Sequence, residues 1–164
     1  MARKSAERKP RMPTSAPWIL GTLGAGAVGA LALRPGSTGW LASLDVPPWM
    51  PDTWIFGPMT AIALIALGAG AALVWDERER SPVRAAIGLY AGVLCCTALW
   101  PHLFFGSRAT DLAMLDLSLL WILALLTLLA FYRVRRLAGG LLIPLLSFAT
   151  FAAALNLSVW LRNG

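Results

Sequence analysis

Long apolar stretches alternate with short polar ones along this chain. Five of the apolar stretches, approximately 17–33, 57–75, 84–105, 112–131 and 140–161, are long enough to cross a hydrocarbon core, which takes about 20 helical residues for roughly 30 Å. The pattern predicts an all-α integral membrane protein of five transmembrane helices. The first stretch carries Gly21, Gly24, Gly26 and Gly29, so its helix propensity is weak but its surface allows close backbone approach. It is expected to pack centrally. The connections between spans two to five are short, which predicts antiparallel neighbours in sequence order.

Only the first connection is long, and it is unlike the others. Gly39 to Pro58, GWLASLDVPPWMPDTWIFGP, holds Trp40, Trp49 and Trp54 with four prolines. Pro47, Pro48 and Pro51 lack a backbone donor and fix φ, so no continuous helix can run through them. The expected result is a rigid, extended, ordered loop. Each tryptophan has roughly 150–250 Å² to bury. The loop therefore reads either as an interfacial aromatic belt or as a lid folded over a cavity mouth.

Composition agrees with the pattern. The chain is 58% hydrophobic and 13% charged, with mean hydropathy +0.68, against about 25% charged residues in a soluble domain. The formal charge of +6 comes from short basic blocks beside apolar spans, which points to membrane topology and to no nucleic-acid partner. Arg3, Lys4, Arg8, Lys9 and Arg11 in the tail, Arg78, Arg80 and Arg84, and Arg133, Arg135 and Arg136 fall on one side; only Arg34, Arg108 and Arg162 fall on the other. The positive-inside rule then puts the N-terminus in the cytoplasm, and the first loop and C-terminus outside a cell membrane of bacterial type. Residues 1–16 are expected to be a disordered cytoplasmic tail preceding a single membrane domain, 17–164. A basic start before an apolar run also resembles a signal peptide, but four further spans favour an uncleaved first helix.

With that orientation, Trp100, Asp116 and Asn156 converge in the outer half of spans three, four and five, below the tryptophan loop. An ionisable residue inside a span costs roughly 2.5–3.5 kcal/mol, so Asp116 is a site candidate, or a carboxylate that serves helix packing. His102 is the only histidine and Cys95 and Cys96 are adjacent in an apolar span, so neither a metal site nor a disulfide is expected; the alternative reading of His102 is an axial ligand for a haem-like molecule. Trp18, Trp75 and Trp160 lie at span ends as belt anchors. Gly88 and Gly92 continue at the same spacing to Cys96 and form a small-residue face, suited to homodimerisation or to packing within the monomer. No Ser/His/Asp set, phosphate loop or HExxH is present, which excludes the usual hydrolytic and phosphoryl-transfer chemistries.

The spacing Trp40…Leu44…Pro47-x-Trp49-x-Pro51-x-x-Trp54-x-Phe56-x-Pro58 resembles the first-loop signature of the TspO/MBR family, the tryptophan-rich sensory and translocator proteins, also called peripheral-type benzodiazepine receptors. Trp100-x-x-x-Phe104-Phe105 is similar to the family's third-span motif. Leu141-Leu142-x-Pro144, Leu155-Asn156 and Asn163 are similar to its fifth-span pattern. The resemblance implies a five-helix bundle, often a homodimer, whose long first loop caps a pocket for porphyrins and, in some members, sterols or synthetic aromatic ligands. Carried onto this sequence, it implicates Trp40, Trp49, Trp54, Phe56, Thr97, Trp100, Phe104, Asp116, Phe148 and Asn156 as ligand-binding. Several positions depart from the family: Leu41, Val46, Asp52, Thr60 and Leu145 replace a Tyr, Lys, Pro, Trp and Tyr, while Thr97 and Phe148 replace a pocket Asn and Trp.

The expected function is thus a membrane receptor or sensor that binds and regulates or transports a tetrapyrrole, with no obligatory cofactor. The alternatives are light- or oxidant-dependent porphyrin breakdown and a sterol- or lipid-binding scaffold.

Overall fold

The computed structural model describes residues 15–33, 37–79 and 81–163. The basic tail expected over 1–16 falls almost wholly outside them, as do Arg34 and Arg80. Every regular element among these residues is helical: α1 (Ser15–Ala30), α2 (Ser37–Ala42), a 3₁₀ turn (Thr53–Ile55), α3 (Phe56–Asp76), α4 (Arg84–Pro101) continuing as a π turn (His102–Gly106), α5 (Thr110–Val134), α6 (Arg136–Gly140) and α7 (Ile143–Asn163). Four helical stretches, Thr53–Asp76, Arg84–Gly106, Thr110–Val134 and Arg136–Asn163, are long and apolar enough to cross a membrane. The helix of the first expected span, α1, has 16 residues and is about 24 Å long.

The helices form a ring in which α1 stands between α3 and α4, α4 packs on α5, α5 on α7, and α7 returns to α3. This corrects one expectation, because α3 and α4 are consecutive in sequence but are held apart along most of their length by α1. Glycines explain the insertion. A Cβ on Gly68 of α3 would lie 2.7 Å from Ile19 Cα and 2.8 Å from Thr22 Oγ1, and one on Gly29 would lie 3.1 Å from Pro101 and 3.2 Å from the Thr97 carbonyl. Small residues on both sides let three backbones meet where larger ones would hold them apart.

At one end of the ring Trp18 packs on Trp75 and Tyr90, with centroids 5.4 and 5.7 Å away. The half-buried Trp18 is therefore a packing residue, whereas Trp75, 37% exposed with the Arg78 guanidinium over its ring, keeps the character of an anchor. Thr22 is fully buried; its hydroxyl donates to the Trp18 carbonyl at 2.7 Å and shares a 2.6 Å hydrogen bond with the Tyr90 hydroxyl. Thr97, Ser118, Thr127 and Thr150 likewise donate to carbonyls four residues earlier. Such back-bonding satisfies hydroxyls that have no water to turn to.

Pro101 shapes the far end of α4. It has no N–H to donate to the Thr97 carbonyl, and the chain widens into a π turn closed by Ser107 N donating to His102 O at 2.8 Å. Arg108 then takes a left-handed conformation, φ 56°, uncommon for a residue with a side chain, and α5 begins at Thr110. The connection expected between the spans 112–131 and 140–161 is mostly helical: only Arg135 leaves helical geometry, at φ −152° and ψ 119°, before α6 starts.

Candidate functional site

The first loop lies across the end of the ring formed by the π turn, the start of α5 and the end of α7. It is partly helical rather than fully extended, since Trp40 sits on α2. From there Trp40, Leu41, Leu44 and Val46 pack on a small core of Phe104, Ala113 and Val159. Trp40 presents its ring edge-on to Phe104 at 5.4 Å and to Phe105 at 6.4 Å, and Arg108 stands over it at 5.7 Å. Trp100 stacks on Phe104 at 5.1 Å with the planes 20° apart. These four rings cover one another, and an offset or edge-on aromatic pair adds roughly 0.5–1.5 kcal/mol beyond area burial. Trp40 and Phe104 thus hold the loop to the bundle.

Asp45 ties the loop down further along. Its backbone N–H donates to Asn163 Oδ1 at 2.8 Å, its carbonyl accepts from Asn163 Nδ2 at 3.0 Å, and its carboxylate faces Arg162 at 3.4 Å. The ion pair is exposed and contributes ~1 kcal/mol at most. The paired amide bonds do more for register, because they fix one loop residue against the last turn of α7.

Beyond this clasp the loop turns Trp49 toward α7. Trp49, 48% exposed, meets the half-buried Phe151 edge-on at 5.9 Å. Phe56 at the start of α3 lies 6.2 Å from the same ring. Trp54 is 70% exposed. Phe148 is half-buried on α7, one turn before Phe151. Phe151 is the residue the sequence reading missed; its signal was the aromatic spacing of Phe148 and Phe151, three apart and so on neighbouring positions of one helix face.

Beneath the loop, Asp116 and Asn156 are buried, 7% and 1% exposed. Asn156 Nδ2 donates to the Thr110 carbonyl at 3.0 Å. Three buried polar atoms have no hydrogen-bond partner among the described residues: Trp100 Nε1, Asp116 Oδ2 and Asn156 Oδ1. An unsatisfied buried polar atom costs about 1–3 kcal/mol, and native folds keep few of them. Here one donor and two acceptors come from three helices, all in the half of the bundle that the loop covers. Thr97 is half-buried and its hydroxyl is occupied by Val93 O. His102 Nδ1 is hydrogen-bonded to the Ala98 carbonyl of its own helix at 2.9 Å.

A groove of about 360 Å³ opens elsewhere, between α5 and α7, lined by Leu117, Ser118, Trp121, Ile122, Thr150 and Ala153. No loop residue borders it. The small-residue face of α4 is also divided. Gly92 packs against Leu123 of α5, where an added Cβ would lie 3.2 Å from Cδ1, and Cys96 is buried, whereas Gly88 meets nothing. Two of the three positions assigned to a dimer face are therefore in contact within the chain.

A ring of apolar helices, with four helical stretches long enough to cross a membrane and a tryptophan-rich loop packed across one end, defines an all-helical membrane protein. This chain belongs to the TspO/MBR family, whose model matches residues 18–161. It is 37% identical over 156 residues to a "Translocator protein" of Bos taurus, a match covering 94% of this chain and 92% of the relative. It is 33% identical over 145 residues to a "Tryptophan-rich protein TspO" of Chlorobaculum tepidum, covering 86% and 90%. A "Tryptophan-rich sensory protein" of Cereibacter sphaeroides is 31% identical over 145 residues, covering 88% and 89%.

Proposed function

We propose that this protein is a membrane receptor or sensor that binds a porphyrin or related tetrapyrrole beneath its first loop. The five helices cross the bilayer, with the loop and the C-terminal end outside. The observation that carries the reading is the trio of unpartnered buried atoms, Trp100 Nε1, Asp116 Oδ2 and Asn156 Oδ1, in the half of the bundle closed by aromatic side chains. A ligand site of this kind needs apolar walls and a few placed polar groups that fix orientation. A flat macrocycle with polar substituents matches both: its faces suit Trp49, Phe56, Phe148 and Phe151, and its polar groups suit the donor and the acceptors. The relatives' names, sensory protein and translocator protein, accord with binding and passing on a ligand. Ordering Trp49 and Trp54 over the bound ring gives the loop two states that ligand can shift.

Titrating the purified protein with protoporphyrin while following tryptophan fluorescence tests this. We expect saturable quenching, weakened about tenfold or more by Trp49→Ala or Phe151→Ala and unchanged by Trp160→Phe. Non-saturable quenching, or equal quenching in all variants, would refute the site. Following protoporphyrin absorbance under illumination in the same samples separates binding from light-driven breakdown, for which binding alone predicts no loss above that of free porphyrin.

A further inference from the structure

On α5 the exposed apolar side chains recur every three or four residues, through Leu115, Leu119, Ile122, Leu126, Leu129 and Tyr132. They form one uninterrupted stripe of about five turns. The stripe ends in charge: Arg133, Arg135 and Arg136 follow at once, and all three are exposed.

Their grouping is built by the fold. Arg135 is the single extended residue between α5 and α6, and the chain folds back so tightly that a Cβ on Gly139 would lie 2.6 Å from Tyr132 Cβ and 2.8 Å from Tyr132 N. Only glycine permits that approach. The reversal places the three arginines within four consecutive exposed or half-buried positions, with the Arg136 guanidinium over the Tyr132 ring at 6.0 Å. None of the three is ion-paired among the described residues. No acidic residue follows Asp116 in the sequence, and the acids of this end, Asp76, Glu77 and Glu79, belong to α3 and the turn after it.

We propose that the α5–α6 reversal is a binding site for an anionic phospholipid, its phosphate held by Arg133, Arg135 and Arg136 and its acyl chains laid along the α5 stripe. Guanidinium groups match phosphate oxygens two at a time, and each basic residue near a membrane surface contributes about 1 kcal/mol toward anionic lipid. The stripe selects a lipid over a free phosphate, because the apolar surface begins within a residue of the first arginine. Trp121 and Ile122, which border the α5–α7 groove, lie about 18 Å from Arg133 along the helix, near the middle of a core roughly 30 Å thick. Acyl chains from that leaflet end at this depth, so the groove takes their tips. The proposal is independent of any ligand under the first loop.

The test is native mass spectrometry of the full chain released from nanodiscs of equal phosphatidylglycerol and phosphatidylcholine. Wild type is expected to retain phosphatidylglycerol preferentially. The Arg133→Gln/Arg135→Gln/Arg136→Gln variant should lose roughly ten- to a hundredfold of that preference, while the corresponding Lys variant keeps most of it and glycerol 3-phosphate does not compete. Neutralising Arg3, Lys4, Arg8, Lys9 and Arg11 to Gln should leave the preference in place. An unchanged preference in the triple Gln variant, its loss in the tail variant instead, or displacement of lipid by glycerol 3-phosphate would overturn the site.

Discussion

Gly68 and Gly21 are both glycines on apolar helices, yet the structure assigns them opposite sensitivities. At Gly68 a methyl group would meet the α1 backbone at Ile19 Cα, 2.7 Å away, while at Gly21 nothing lies within 4 Å. Backbone cannot move aside as a side-chain end can, so Gly68→Ala is expected to destabilise by about 1–3 kcal/mol through overpacking. Gly21→Ala should be neutral or stabilising by up to about 1 kcal/mol, from helix propensity alone. Thermal unfolding in detergent measures the pair, and equal melting points for the two variants would contradict the α1–α3 contact. The same distinction applies within the candidate site. Sequence placed Trp40 and Phe104 beside Trp49 and Phe56 as equivalent aromatic candidates, because residue type does not say which rings face one another. Their packing separates Trp40 and Phe104, which hold the loop, from Trp49 and Phe56, which meet Phe151.

At the scale of elements, α4 shows how one sequence motif divides between two surfaces. Gly88, Gly92 and Cys96 share a helical stripe, but α5 covers Gly92 and Cys96 and leaves Gly88 open. If two copies associate through α4, Gly88→Leu should shift the mass measured by light scattering after size exclusion from dimer to monomer without lowering the melting point. Gly92→Leu should lower the melting point by crowding Leu123, whatever the state of association. A dimer that survives Gly88→Leu unchanged rules out this face. The loop is the other element whose form needed the fold. Its prolines announced a break in helix, but the short α2 packs on Phe104 and Phe105, more than sixty positions away, and Asp45 is clasped by Asn163 from the far end of the chain, partners that local pattern cannot supply.

At the scale of the whole molecule, the proposed orientation rests on the basic residues, eleven on one side and three on the other. Cysteines introduced near Ser43 should react with an impermeant reagent in intact cells, and those near Ser81 should not; the reverse result would invert the topology and move the arginine reversal to the outer leaflet. The sequence by itself determined the apolar stretches, the all-helical membrane class, the long loop and the family, because each depends on local composition, length or fixed spacing. Helix order around the ring was decided only by tertiary structure. Short connections favour α3 beside α4, but Gly29 on α1 and Gly68 on α3 allow backbone contacts that put α1 between them. The same holds for the candidate site: Asp116 and Asn156 stood out as polar residues in apolar spans, but their burial along with Trp100 Nε1, each with an unpartnered atom among the described residues, exists only once three helices have packed together.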